Sequence, residues 1–402
     1  MITQRILGLF GYVFALWILT ATMAHAQTET VLYSFSPVDG TDSDYPSALI
    51  MDKLGNLYGT TGTGAGISYG FGTVFELTPA GVETTLYTFT NSNGDGGDPV
   101  AGVIMDNEGN FYGTTSNGGS YGYGTVFKLT PAGVETPIYS FTANGDGANP
   151  WGGLVVDKKG NIYGTTRNGG VNDGGAVFRL TRPRKGGSWS ETVLYNFLSQ
   201  AGDGRQPYVG VIIDKLGNLY GTTEYGGLTG QCCGTVYELM PSGQSWTEKT
   251  LHAFSDTPDG AYTYAGVVMD KMGNLYGVTY WGGAYGFGAV YQITPGGAET
   301  VLYSFTNSNG DGANPVYGPI LGKKGYLYGT TYYGGKYGYG AVYELIPSGG
   351  SWKEKILWSF SGQPDGANPT ASMTLDKHGN LYGTTRYGGS NGYGTVYKIA
   401  PK

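Results

Sequence analysis

Short apolar runs alternate with polar, glycine-rich turns along nearly the whole chain. Residues 101–106 are an apolar run that reads as a strand, 107–109 a turn, and 110–115 a second strand. A glycine-rich loop fills 116–124. Residues 125–130, with Val126, Phe127 and Leu129, read as a third strand, and after a turn at 131–133 a fourth covers 135–141. β-Branched and aromatic residues suit a pleated, half-buried surface, while Gly, Pro and Asn supply the turns. No helical period runs through the unit. It predicts four short antiparallel strands with tight connections.

The unit recurs. The core Gly-x-x-Tyr-Gly starts at Gly55, Gly109, Gly160, Gly217, Gly273, Gly325 and Gly379, at spacings of 54, 51, 57, 56, 52 and 54 residues. A fixed period of this size signals a solenoid, an array or a propeller. Four-stranded units repeated radially are propeller blades. The fourth strand also occurs seven times, at 29–35, 83–89, 135–141, 191–197, 248–254, 299–305 and 354–360, but out of phase. The repeats begin with a fourth strand and end at 395–400 with a third. Pairing those two closes a ring and removes two exposed edges. The expected fold is therefore an all-β, seven-bladed propeller with four strands per blade, one domain over residues 27–402.

Composition refines this picture. The 402 residues include 74 Gly and 35 Tyr, and only 13% are charged, against roughly 25% in a typical soluble domain. The glycines recur at fixed places, as turn glycines do. At the N-terminus, Arg5, the mostly apolar stretch 6–19 and Ala24-His25-Ala26 fit a cleaved signal peptide over residues 1–26. Removing Arg5 from the 23 basic residues leaves 22 against 30 acidic ones, a net of −8. No basic patch for nucleic acid stands out, and no later run is long enough to span a bilayer. Cys232 and Cys233 are adjacent. They read either as two loop thiols or as a vicinal disulfide, because neighbouring Cα atoms lie closer than the usual disulfide span.

Residues 99–112, Pro-x-x-Gly-Val-Ile-Met-Asp-x-x-Gly-Asn-Phe-Tyr, resemble the first strands of NHL-type propellers. The longer phrase Asn-Leu-Tyr-Gly-Thr-Thr-x-x-Gly-Gly, followed by Gly-Thr-Val-Phe/Tyr-x-Leu-Thr-Pro, resembles the Gloeobacter/Verrucomicrobia tandem repeat of exported bacterial proteins over residues 29–402. The resemblance implies a secreted or periplasmic place, often with a C-terminal anchoring segment, and no established activity. This chain departs at its end: Lys402 follows directly on a strand, and no anchor is expected there.

Function is expected on the face that carries the loops after strands two and four, which vary between copies. The second residue after Thr-Thr is Thr63, Asn117 and Asn168 in blades one to three, then Tyr225, Trp281, Tyr333 and Tyr387. With Tyr280, Tyr332 and Arg386 these form an expected aromatic arc, suited to sugar rings or a protein surface. Packing between blades is the competing reading. The Asp-Gly loop acids Asp95, Asp146, Asp203, Asp259, Asp311 and Asp365, and blade one's Asp39, Asp42 and Asp44, read as turn chemistry rather than calcium ligands. His25, His252 and His378 are isolated, and the hydrolase and zinc motifs are missing. Arg167, Arg205 and Lys336 are further single-copy residues. A Glu224–Asp173 acid pair for glycoside cleavage is the enzymatic alternative, and a purely structural repeat is a third. The leading expectation is a monomeric, non-enzymatic binder of a polysaccharide or cell-surface protein, with no cofactor, metal or nucleic acid.

Overall fold

A computed structural model of the chain describes residues 27–36, 47–62, 70–184, 187–198, 200, 202–227 and 232–400. The expected signal segment, Asp39, Asp42, Asp44 and Thr63 lie outside the described residues. Seven blades ring a central axis. Blade one runs Ile50–Met51, Leu57–Thr61, Thr73–Leu77 and Glu83–Thr88 from axis to rim. In blade seven, Thr374–Leu375, Leu381–Tyr387 and Thr395–Ala400 are completed by the N-terminal strand Thr28–Ser34. That strand pairs antiparallel with the last one, from Thr28 opposite Ala400 to Ser34 opposite Thr395.

The repeated phrase has a physical reading, residue by residue. The Asp of Asp-x-x-Gly-Asn closes the first turn: Asp106 accepts hydrogen bonds from the N–H groups of Glu108 and Asn110 and from the Tyr112 hydroxyl. The Tyr-Gly glycine leaves room for the aromatic ring of the third strand, since a Cβ on Gly113 would sit 2.6 Å from the Phe127 ring. The first Thr ties neighbouring blades together. Thr60, Thr114, Thr165 and Thr222 donate to the carbonyls of Ala101, Gly152, Val209 and Ala265 in the next blade. The second Thr ties its own blade, as Thr115 does with Thr125 at 2.8 Å.

The core lies between blades. The outer-strand Phe of one blade packs edge-on or tilted against the third-strand ring of the next, as in Phe89–Phe127, Phe197–Tyr237 and Phe305–Tyr343. Phe35 packs on Phe75 in the same way, with centroids 5.5 Å apart, so the seam between blades seven and one is built like the others. Each outer strand also skips one residue against its neighbour, Ile138 in blade two and Leu251 in blade four. Such bulges raise local twist, which a propeller blade needs.

Candidate functional site

The loops after strands two and four share one face. There the first residue after Thr-Thr faces the linker entering the next blade. An Asn-Pro pair in that linker commonly fixes it: the side-chain amides of Asn149, Asn314 and Asn368 donate to the carbonyls of Ser116, Tyr280 and Tyr332. These three Asn residues have φ of 53° to 55°, a left-handed conformation that Asn tolerates.

At the entry to blade five the pattern breaks. Tyr262-Thr263 replaces Asn-Pro, and Tyr262 still holds φ 60°. A bulky residue there is an outlier, and outliers of this kind concentrate at functional sites. Its N–H donates to the carbonyl of Cys233 at 2.8 Å. Cys233 is buried and disulfide-bonded to Cys232, which settles the two readings of the cysteine pair. The half-buried Tyr262 packs against the hydrophobic cluster that contains Cys233.

From Tyr262 a continuous aromatic surface spreads over blades three to five. Tyr262 stacks on Tyr264 and meets Tyr225 edge-on. Tyr264 contacts Tyr208 and Tyr280, Tyr208 contacts Trp151, and Tyr280 contacts Trp281, with centroids 5.0–5.3 Å apart. Arg167 lies over Trp151 and Tyr208, at 5.0 and 5.4 Å. Its Nη2 donates to Glu224 Oε2 at 3.1 Å across the blade seam. Glu224 is 3% exposed, so its carboxylate is desolvated, and this charge-assisted bond anchors one nitrogen of the Arg167 guanidinium. Arg205 covers Tyr225. Burial, then the Glu224 charge, pushes the Tyr264 hydroxyl pKa above its usual value, and burial with a hydrogen bond to Glu224 does the same for Tyr225.

The expected arc therefore splits. Tyr225, Tyr280 and Trp281 join this surface. Tyr332 and Tyr333 form a second pair, 4.6 Å apart, with Arg386 over Tyr387 beside it. Trp281 and Tyr333 are 43% and 45% exposed. Asp173 lies in the exposed loop of blade three and accepts from the Gly169 N–H. Among the described residues no contact joins it to Glu224. Trp151, Tyr208, Tyr262 and Tyr264 were not singled out in the sequence, and the lost Asn-Pro pair was the available signal for the last two.

The Asp-Gly loop acids make turns. Asp95 and Asp311 accept from Thr90 and Thr306, and Asp146 accepts from Thr142 and Tyr139. His252 stands within 2.9 Å of Asp259. Among the described residues no cluster of three or more His, Cys, Asp or Glu is assembled to hold a metal ion, and no helix is long and apolar enough to cross a membrane.

Fold and face together define a seven-bladed β-propeller built from tandem repeats. More narrowly, the chain belongs to the Gloeobacter/Verrucomicrobia repeat family, whose pattern matches residues 11–136, 45–247 and 210–402. No curated protein matches it. Among solved structures it resembles virginiamycin B lyase from Staphylococcus aureus (TM-score 0.58, 14% identity, 94% of this chain and 99% of that one). It also resembles the extracellular domain of a hybrid two-component system from B. thetaiotaomicron (TM-score 0.58, 12% identity, 94% of this chain and 40% of that one). A chain of the mitotic checkpoint complex is similar too (TM-score 0.57, 10% identity, 100% of both). At such identities the likeness concerns the fold alone.

Proposed function

We propose that this propeller is an exported, monomeric binding module for polysaccharide, and that its contact surface is the aromatic–arginine face of blades three to seven. The observation that carries the reading is the run Trp151–Tyr208–Tyr264–Tyr280–Trp281, which ends in blade five, where Tyr262-Thr263 replaces the Asn-Pro pair. Aromatic rings stack on the C–H faces of sugars, and the Arg167 guanidinium, anchored at Nη2, has further N–H donors for their hydroxyls. The extracellular placement of one structural neighbour fits the expected export. In this reading Glu224 is a positioning residue, because its carboxylate is engaged by Arg167 inside the protein.

A glycan array probed with residues 27–402, alongside a Tyr264→Ala, Trp281→Ala variant, tests it. Binding by the wild type, reduced at least about ten-fold in the variant, supports the reading. Equal binding by both proteins, or none by the wild type, sinks it. The enzymatic alternative predicts something else: turnover of a bound glycan, lost in Glu224→Gln while the fold is kept.

A further inference from the structure

Between blades two and three the same face opens into a groove of about 540 Å³, within the range of about 300–1,000 Å³ common for ligand sites. The repeat explains why it is open there. In blades five, six and seven, the backbone of the second residue after Thr-Thr pairs with an alanine of the incoming linker. The pairs are Trp281 with Ala261, Tyr333 with Ala313 and Tyr387 with Ala367. In blade three the pair is Asn168 with Ala148, so a short carboxamide stands where blades five to seven carry a ring. Blade two also has a short residue, Asn117, but its amide is tied to Asp98.

The groove is lined by chemistry that recognises a sugar. Tyr123, 43% exposed, forms one wall. Asn168, Asn172 and Asp173 line it from blade three. Among the described residues the side-chain amides of Asn168 and Asn172 make no hydrogen bond, and the Asp173 carboxylate uses only Oδ1, toward Gly169. Two carboxamides and a carboxylate oxygen provide both donors and acceptors, as adjacent hydroxyls require. The carboxylate disfavours an acidic sugar. The groove lies next in the chain to the aromatic surface: Asn168 follows Arg167, and Asn149 lies two residues before Trp151.

We infer that this groove is a second subsite, which holds further neutral sugar units of a chain whose other units stack on Trp151, Tyr208 and Tyr264. The inference rests on the polysaccharide reading above. Calorimetric titration tests it with tri- and hexasaccharides of β-1,4-glucan, β-1,3-glucan, β-1,4-xylan and β-1,4-mannan. Wild type binds one of these hexaoses about ten-fold or more tighter than its triose, because the second contact is intramolecular. Asn168→Trp, which puts a bulky ring into the groove, removes that advantage and leaves triose affinity and thermal stability unchanged. Asn172→Ala reduces the advantage without adding bulk. A full chain-length advantage in both variants, with binding still lost in Tyr264→Ala, overturns the groove alone. If no glycan binds, or Tyr264→Ala binds normally, the aromatic reading fails and the groove falls with it.

Discussion

Among the described residues, four tyrosine hydroxyls are sealed in the protein interior without a partner. Tyr237, Tyr291, Tyr343 and Tyr397 are each 0% exposed, and no hydrogen bond reaches their oxygens. They occupy the third-strand position that Phe75, Phe127 and Phe178 fill in blades one to three. The ring itself is needed at this position, where it fills the space over the second-strand glycine, but the hydroxyl adds only a desolvated polar group. Leaving such a group unpaired costs about 1–3 kcal/mol. Each Tyr→Phe change is therefore expected to stabilise the protein by about 1 kcal/mol, taking the lower end of that range. The four sites lie in different blades and share no partner, so the quadruple variant gains roughly 4 kcal/mol. Each single change raises the melting temperature by roughly 1–2 °C for a chain of this size. Urea unfolding of the four single variants and the quadruple variant, followed by circular dichroism, measures this. A loss of about 1 kcal/mol or more at each site would show that the hydroxyl is bonded, by an ordered water for example, and would refute the reasoning.

Other outcomes follow from the same geometry. Gly221→Ala places a Cβ 2.4 Å from the Tyr237 oxygen and should destabilise by about 1–3 kcal/mol, less so in a Tyr237→Phe background; equal losses in both backgrounds would exclude this clash as the cause. Six glutamates at the start of the outer strands titrate high: burial first, then the Asp of the preceding blade's loop, pushes Glu29, Glu191 and Glu299 to about 7 and Glu135 and Glu354 to about 8. Glu248 reaches about 7 by burial and the Asp203 charge, against a lowering bond from Thr250. The folded state thus binds more protons than the unfolded one, and stability should fall as pH rises from about 5 to 8; a urea midpoint that climbs over this window contradicts the assignment. Arg167→Lys, which loses the planar stack on Trp151 and Tyr208, should weaken glycan binding while leaving the melting temperature near wild type, and unchanged binding would remove Arg167 from the contact surface.

The fold was legible because its determinants are local and repeated. Asp106 with Asn110 makes the turn, Gly113 admits the ring, and Thr114 and Thr115 bind across and within blades, so one phrase written seven times states one blade seven times. The offset of the strand at 29–35 announced the closure that the Phe35–Phe75 contact completes. The candidate site was legible only where it sits in register with the repeat, at Tyr225, Tyr280 and Trp281. Trp151, Tyr208 and Tyr264 lie on linkers of unequal length, and only the closed ring brings them edge to edge. Tyr262 carries a clearer signal in hindsight, because it takes a left-handed position that Asn holds in three other blades. The cysteine pair could not be decided from chain geometry alone, since its state depends on a loop that the rest of the blade positions.

The crystal structure of the protein with the tightest-binding hexasaccharide tests the central claim most directly. The account predicts sugar rings stacked along Trp151, Tyr208 and Tyr264, with Arg167 held by Glu224 and the chain running outward past Asn168. Sugar bound on the opposite face, among the Asp-x-x-Gly-Asn turns, would contradict it.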